Sequence, residues 1–484
     1  MKTFRSALFW VLAAALLAGH LVLAWNSLVV WRFWEDEAFN LTVPLNLLSG
    51  LGYTSDGALS GSTLTPFDPR ISTGPVVLLP VAAMLTTGID PVIGARLIPL
   101  AYWALLLAGL FVLGRRIGGR RAALAAVAVP LAFTTGVGVS PIQGPADLLG
   151  EIPAAALLVW ALVVLPRRTW LAGLLVGLAV QAKLIVLLAL PAFAVALWLL
   201  PSDASTVGER VKTLLKRSWV PLLFVALPTF LVELFALVSL GLDGFIMHLR
   251  ELWWFMRSGG QGGEPTTVVS KLTTLADSWS LPVWAAVVLA VVSIGLIAAG
   301  LWVARGSDSA KSVSLYVWPA FVGALAFVGW WATASHLPLW VRHPAPGVFA
   351  FFPILTAAAF WACVVLFRGR TTRVVAVVAA SVLALGIGAG SVLHVVVATT
   401  AARWETLVMQ RDAVEPLAEW VAENDAEWLA AAPWGAAVSP IVLSGAHVGL
   451  WDAPAMNGVP RLTGAKCTTD VLADSGRYRI CAAE

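Results

Sequence analysis

The chain has 484 residues, 59% of them hydrophobic and only 12% charged, with a net charge of +4 and a mean hydropathy of +0.86. Soluble domains carry about twice that charged fraction, and apolar runs of membrane-spanning length recur, so the pattern excludes a soluble fold and predicts an all-α polytopic membrane protein. No basic stripe interleaved with aromatic residues is present, which argues against a nucleic-acid partner.

The first 31 residues carry Lys2 and Arg5 and then a long apolar stretch. A signal peptide has an apolar core of roughly 7–15 residues. This stretch is longer, and an uncleaved first span over 7–31 is expected. WRFWEDEAFN (31–40) then places Glu35, Asp36 and Glu37 side by side. In DEAFNLTVPLNLLSG, Phe39, Val43 and Leu47 have helical spacing, which predicts a helix lying along the membrane surface. Its N-terminal end, where the helix dipole favours anions, holds Asp36 and Glu37. GPVVLLPVAAMLTTG (74–88) is apolar but short and contains Pro75 and Pro80, so a second juxtamembrane helix is expected there. Further spans are expected at 92–114, 122–139, 151–165, 169–182, 184–200, 219–240, 281–304, 313–334, 344–367 and 374–398, making eleven in all. Many of the 24 tryptophans flank these runs, as interfacial rings do.

Lys and Arg collect in cytoplasmic loops. The basic clusters are Lys2/Arg5, RRIGGRR (115–121), PRR (166–168), ERVKTLLKRS (209–218), Arg305/Lys311 and RGRTTR (368–373). Placing all of them inside makes 169–200 a short hairpin with Gln181 and Lys183 at its outer turn. It also puts the segments 32–91, 140–150, 241–280 and 335–343 outside, together with the C-terminal tail. The expected organisation is a membrane domain over 1–398 and a small extracytoplasmic α/β domain over 399–484, in a multi-pass protein of the cell membrane. Within the tail, WETLVMQRDAVEPLAEWVAEN (404–424) reads as an amphipathic helix buried through Leu407, Val414, Leu417 and Val421. AAVSPIVLS and RYRICAAE read as strands. Cys467 and Cys481 can pair if the tail is exported, whereas Cys363 lies in an apolar run.

Every polar feature with chemical potential falls on the outer side of this topology. Acids at a membrane exit often only cap a helix. A carboxylate there is also well placed to take a proton from a hydroxyl acceptor. The reaction that suits one base flanked by cations is glycosyl transfer from a lipid-linked sugar phosphate. The phosphate leaves without a general acid, but cations must hold its charge. A glycosidase would need a second, protonated carboxylate. Asp36 and Glu37 are the candidate catalytic residues, and Glu35 stands beside them as a substrate-binding candidate. Lys183 sits close to hydrocarbon depth, where a charge is functional, paired or snorkelling. Arg342 and His343 close an outer loop, and Arg70 precedes the juxtamembrane helix. These four are candidate phosphate ligands. Asp147 and Glu151, in QGPADLLGEIPA, either contact substrate hydroxyls or cap the following helix. No cofactor is expected. No His/Cys/Asp cluster has metal-ligand spacing, and nothing supports a divalent ion at the acidic triplet.

An Asp-Glu pair directly after the first span, followed by LLSGLGYTSDG and FDPRISTGPVVLLP, resembles the GT-C glycosyltransferases. The branch it is most similar to is that of bacterial aminoarabinose transferases and protein O-mannosyltransferases. GARLIPLAYWALLLAGLFVLGRRIGG, GEIPAAALLVWALVVL, GLAVQAKLIVLLALPA and VRHPAPGVFAFFPIL resemble later spans of that family in order and sidedness, covering about residues 5–400. The resemblance implies a polyprenyl-phosphate sugar donor, inversion at the anomeric carbon and a base from Asp36 and Glu37. It also implies phosphate contacts at Lys183 and Arg342, and a glycan, lipid or protein acceptor. The Lys-Pro-Pro of the aminoarabinose transferases is absent; the stretch here reads STGP, with Arg70 a few residues earlier. The alternatives are a transporter or flippase of lipid-linked saccharides, an O-antigen-type polymerase or ligase, and an assembly subunit.

Overall fold

The computed structural model describes residues 2–57, 63–133, 142–202, 206–258, 265–369, 373–433 and 435–483. The end of the expected span 122–139, the middle of the loop 241–280 and the centre of RGRTTR lie outside these residues. The first helix, α1 (Lys2–Trp25), runs on through one π turn, and α2 (Glu35–Leu48) follows. The rest of the first loop forms the short pair β1 (Thr54–Ser55) and β2 (Thr65–Pro66), then α3 (Pro75–Leu85). The membrane body continues with α4 (Pro91–Ala132), α5 (Glu151–Val164), α6 (Thr169–Ala182), α7 (Leu190–Leu199) and α8 (Val207–Ser258). It ends with α9 (Val268–Asp277), α10 (Val283–Val303), α11 (Asp308–Thr333), α12 (Ala345–Phe367) and α13 (Arg373–Thr400). Among the described residues, α1, α4, α8, α10, α11, α12 and α13 are long and apolar enough to cross a membrane, so the chain is a multi-pass membrane protein.

Two of these helices fold back on themselves. In α4 the break is Gly118–Gly119, inside RRIGGRR, and Gly119 has φ 76°. A Cβ at Gly114 would lie 2.6 Å from Ala123 Cα, although a straight helix would hold such residues ~13 Å apart. The basic cluster is therefore a hairpin between two apolar passes. Arg116 donates to the Val163 carbonyl, which puts this hairpin at the C-terminal end of α5 and the loop 142–150 at the other end of the bundle. In α8 the break is Gly241, with φ 69°. His248 lies 3.1 Å from Glu233 across it, against ~22 Å in a straight helix. Residues 242–258, expected to be loop, thus form a helix packed back along α8.

Packing at the body's centre uses small residues, as helices in lipid do. A Cβ at Gly323 would meet the Phe351 ring and one at Gly347 the Phe327 ring, so α11 and α12 interlock reciprocally. Glycine also brings loops together at the far end of α6. The Gly74 N–H donates to the Ala182 carbonyl at 3.2 Å, and a Cβ at Gly150 would meet the same oxygen.

The expected surface helix is a correction. α2 is buried without interruption from Glu37 to Pro44 and packs on α3. Its other face is covered by the C-terminal unit, which the helical spacing of Phe39, Val43 and Leu47 could not foretell. This unit contains α14 (Leu407–Glu423), β3 (Trp428–Ala431), α15 (Val438–Ser444), β4 (His447–Leu450), β5 (Arg461–Thr463), β6 (Val471–Asp474) and β7 (Arg479–Cys481). The sheet order is β4-β3-β5-β7-β6, parallel between β3 and its two neighbours and antiparallel beyond. α14 buries Leu407, Val414, Leu417 and Val421. AAVSPIVLS, expected to be a strand, is α15. Pro440 sits in its first turn, where a missing N–H breaks no helical bond. Gly445, at φ 88°, closes it. Cys467 and Cys481 are disulfide-bonded.

Three contacts fasten this unit to the first loop. The Gln410 amide accepts from the Phe33 N–H at 3.0 Å and donates to the Phe33 carbonyl at 2.9 Å. Trp31 forms a bridge with Thr406. Asp56, 2% exposed, takes the His447 ring at 2.9 Å and the Val448 N–H at 3.0 Å, while Asn46 of α2 donates to it at 2.9 Å.

The start of α2 is fixed by Arg96 of α4. Its guanidinium pairs with Glu37 through two bonds, Nε to Oε1 at 2.9 Å and NH2 to Oε2 at 2.7 Å. Its other N–H groups donate to the carbonyls of Leu28 (3.3 Å), Trp31 (2.8 Å) and Arg32 (2.8 Å). Both side chains are fully buried.

Arg96→Gln leaves Glu37 a buried, unpaired carboxylate and is expected to cost ~3–5 kcal/mol. The double change Arg96→Gln/Glu37→Gln is expected to cost less than the two single losses summed. Thermal melts of the four proteins in one detergent check this, and simple additivity would show the two residues to be uncoupled. A second expectation concerns pH. The bond to Asp56 raises the His447 pKa above its ordinary value, against the opposing effect of burial. The contribution of His447 is then full below its unfolded value of ~6.5 and fades as pH rises through the raised one. The melting-temperature gap between wild type and His447→Gln should be widest in mild acid and close toward alkaline pH. A gap that widens with pH would refute this.

Candidate functional site

The three consecutive carboxylates occupy the first turn of α2 and go three separate ways. Glu35 pairs with Arg32. Burial pushes its carboxyl above the usual range, and the Arg32 charge opposes this. Glu37 is saturated: besides Arg96 it accepts the Leu148 N–H at 3.2 Å and reaches back to the Trp34 N–H at 3.5 Å. Asp36 pairs with Arg342, which arrives from the loop before α12, 306 residues along the chain. The expected catalytic pair Asp36–Glu37 is therefore divided. Glu37 is sealed in the fold, and Asp36 stands at a partly open position with 14% of its side chain exposed.

Around Asp36 the loops are tied to one another. Asn40 of α2 donates to the Leu148 carbonyl at 2.6 Å and to the Thr73 hydroxyl at 3.0 Å. Asp147 accepts the backbone N–H groups of Gln143 and Gly144, closing its own turn rather than capping α5. Burial pushes its carboxyl well above the ordinary value, and the Glu37 charge adds to this. Glu151 is the first residue of α5 and is buried. Its carboxylate lies 2.8 Å from Lys183 Nζ. Lys183 sits where α6 ends in extended backbone (φ −155°, ψ 116°), the hairpin turn expected there, and also donates to Ser72 at 2.8 Å.

Arg342 lies over the Trp340 ring at 4.8 Å, and the His343 ring stacks on the same indole at 5.7 Å. Burial drives the His343 pKa well below 6.5, and the charges of Arg342, Lys183 and Lys271 push it further down. Burial and the three cationic charges thus all disfavour the protonated ring. Its Nε2 has no hydrogen-bond partner among the described residues. Lys271, on α9, escaped the sequence analysis. Its ammonium donates to the carbonyls of Trp331 and Ala334, closing the C-terminal end of α11, and nothing in VVSKLTTLAD advertises partners that are backbone carbonyls. Arg70 is not brought to the cluster by any contact. It folds onto Asp68 at 3.2 Å within its own turn. Among the described residues, no group of three or more His, Cys, Asp or Glu side chains is arranged to hold a metal ion.

No protein-family model matches the chain, and no curated protein matches it in sequence. Solved structures do match. The apo crystal structure of ArnT from Cupriavidus metallidurans superposes with a TM-score of 0.57 at 12% identity, covering 99% of this chain and 98% of that one. The same protein bound to undecaprenyl phosphate gives 0.60 at 13% identity, covering 97% of each chain. The archaeal oligosaccharyltransferase AglB from Archaeoglobus fulgidus, in complex with an inhibitory peptide and a dolichol-phosphate, gives 0.52 at 12% identity, covering 92% of this chain and 64% of that one. At these identities the likeness is one of architecture: the chain has the GT-C fold, from its first span through its C-terminal unit.

Proposed function

We propose that this protein is an integral-membrane glycosyltransferase that moves a sugar from a polyprenyl-phosphate-linked donor to a hydroxyl of a lipid, glycan or protein acceptor. The observation that carries this reading is the meeting of Asp36 with Arg342 beside Lys183 at one end of a GT-C bundle. The acceptor oxygen attacks the anomeric carbon from the face opposite the phosphate, so configuration inverts. Its proton passes to the Asp36 carboxylate. The bond from the anomeric carbon to the phosphate oxygen breaks, and the electron pair leaves with the phosphate. Arg342 and Lys183 hold the charge that develops there. His343, whose protonation burial and these cations disfavour, offers a hydrogen bond rather than a third charge. Glu37 and Asp147 hold α2 and the 142–150 loop in place. The site belongs to the extracytoplasmic side, a reading supported by the basic hairpin at the opposite end of the bundle and by the Cys467–Cys481 disulfide, which persists in oxidising compartments. The ArnT and AglB complexes, which contain polyprenyl phosphates, support the donor class.

Asp36→Asn is expected to lower transfer by ~10²–10⁴-fold while retaining lipid binding, the range general bases supply. Lys183→Ala and Arg342→Ala are each expected to weaken binding of undecaprenyl phosphate by roughly tenfold. Turnover of a radiolabelled polyprenyl-phosphate sugar, together with lipid binding to purified protein, checks both. Full turnover by the Asp36 variant would remove it as the base.

A further inference from the structure

Among the cations at the site, Arg342 is engaged in a distinctive way. Lys183 is backed by Glu151, which is buried at the start of α5. Lys271 is turned to two backbone carbonyls. Burial and the neighbouring cations disfavour a charge on His343. The partner of Arg342 is Asp36, the carboxylate assigned above as the base, and both side chains keep some access, 10% and 14% exposed. A carboxylate and a phosphate offer a guanidinium the same kind of anionic oxygens. One guanidinium placed between the two must divide itself between them.

We propose that Asp36 is a built-in competitor of the donor phosphate for Arg342. The ion pair masks both groups. Donor binding draws Arg342 onto the phosphate and leaves the Asp36 carboxylate free to accept a hydroxyl proton. The base is thus exposed only when a donor is in place, and the donor binds before the acceptor is activated. This rests on the donor and base assignments proposed above.

The test is the affinity of the purified full chain in detergent for undecaprenyl phosphate, measured for wild type, Asp36→Asn, Asp36→Glu, Arg342→Gln and the double variant Asp36→Asn/Arg342→Gln. Removing the competitor should tighten binding roughly tenfold, within the usual span of coupling between two ligands of one group. Asp36→Glu keeps the competing charge and should bind as wild type does. Arg342→Gln should bind more weakly, and adding Asp36→Asn to it should restore nothing. Equal affinities for wild type and a folded Asp36→Asn protein would overturn the competition and leave the donor assignment standing. Tightening of equal size with and without Arg342 would also overturn it, since simple charge repulsion would then suffice. No binding in any of the five proteins would overturn the donor assignment itself. If Asp36→Asn fails to fold, Asp36→Ala carries the same comparison.

Discussion

The pair formed by Glu37 and Arg96 is the constraint from which the rest of the site follows. An ion pair this deep is costly to desolvate, and its value lies in geometry. The two parallel bonds set the rotation of α2 about its axis, and the remaining Arg96 donors take the carbonyls that end the first span. The same carboxylate accepts the Leu148 N–H, so the 142–150 loop is placed by it too. Successive helical residues are rotated by ~100°. Once Glu37 is fixed on Arg96, Glu35 and Asp36 are aimed elsewhere, one at Arg32 and the other at Arg342. Three adjacent carboxylates therefore cannot serve one site together. The middle one reaches the partly open position because its neighbour is sealed inside.

The C-terminal unit acts on the same segment from the other side. Gln410 pairs with the backbone of Phe33 as a neighbouring strand would, and Glu405 accepts the Tyr478 hydroxyl at 2.6 Å and Arg477 at 3.0 Å while lying 3.9 Å from Arg32. Residues 31–34 are thus held between Arg96 and α14 just before they deliver Asp36. Asp56 repeats the arrangement one loop later, joining α2 through Asn46 to β4 through His447. This explains why α2 is buried on all sides. It is the layer between the membrane bundle and the sheet, not a helix resting on lipid.

The helical character of the apolar runs, the basic loop at 115–121, the turn at Lys183 and the amphipathic α14 were legible in the sequence because each depends on composition or period. The acidic run 35–37 was conspicuous too, as charge beside an apolar run. The sequence did not separate the roles of Asp36 and Glu37, because that separation depends on Arg96 and Arg342, partners 59 and 306 residues away. The helix at 242–258 was hidden by Gly241, where the chain folds back on itself and the helix resumes at once. α15 was hidden because a short segment buried on nearly every side shows no period. Lys271 was missed because its partners are carbonyls that every residue possesses.

The lowered pKa of His343 completes the electrostatic picture. Three cations gathered at the end of a membrane bundle would repel one another unless each had a counter-charge or dipole. Glu151 supplies one for Lys183, Asp36 one for Arg342, and the carbonyls closing α11 one for Lys271. A fourth positive charge at position 343 would add to the repulsion, and burial together with the three cationic charges disfavours it. Each cation of the cluster therefore has a partner within the chain. On the proposed function, an incoming phosphate gains most from a cation whose present partner can withdraw. Glu151 is buried and the helix carbonyls are fixed, so the pair best able to separate is Arg342 with Asp36, the pair that joins the anion site to the proposed base.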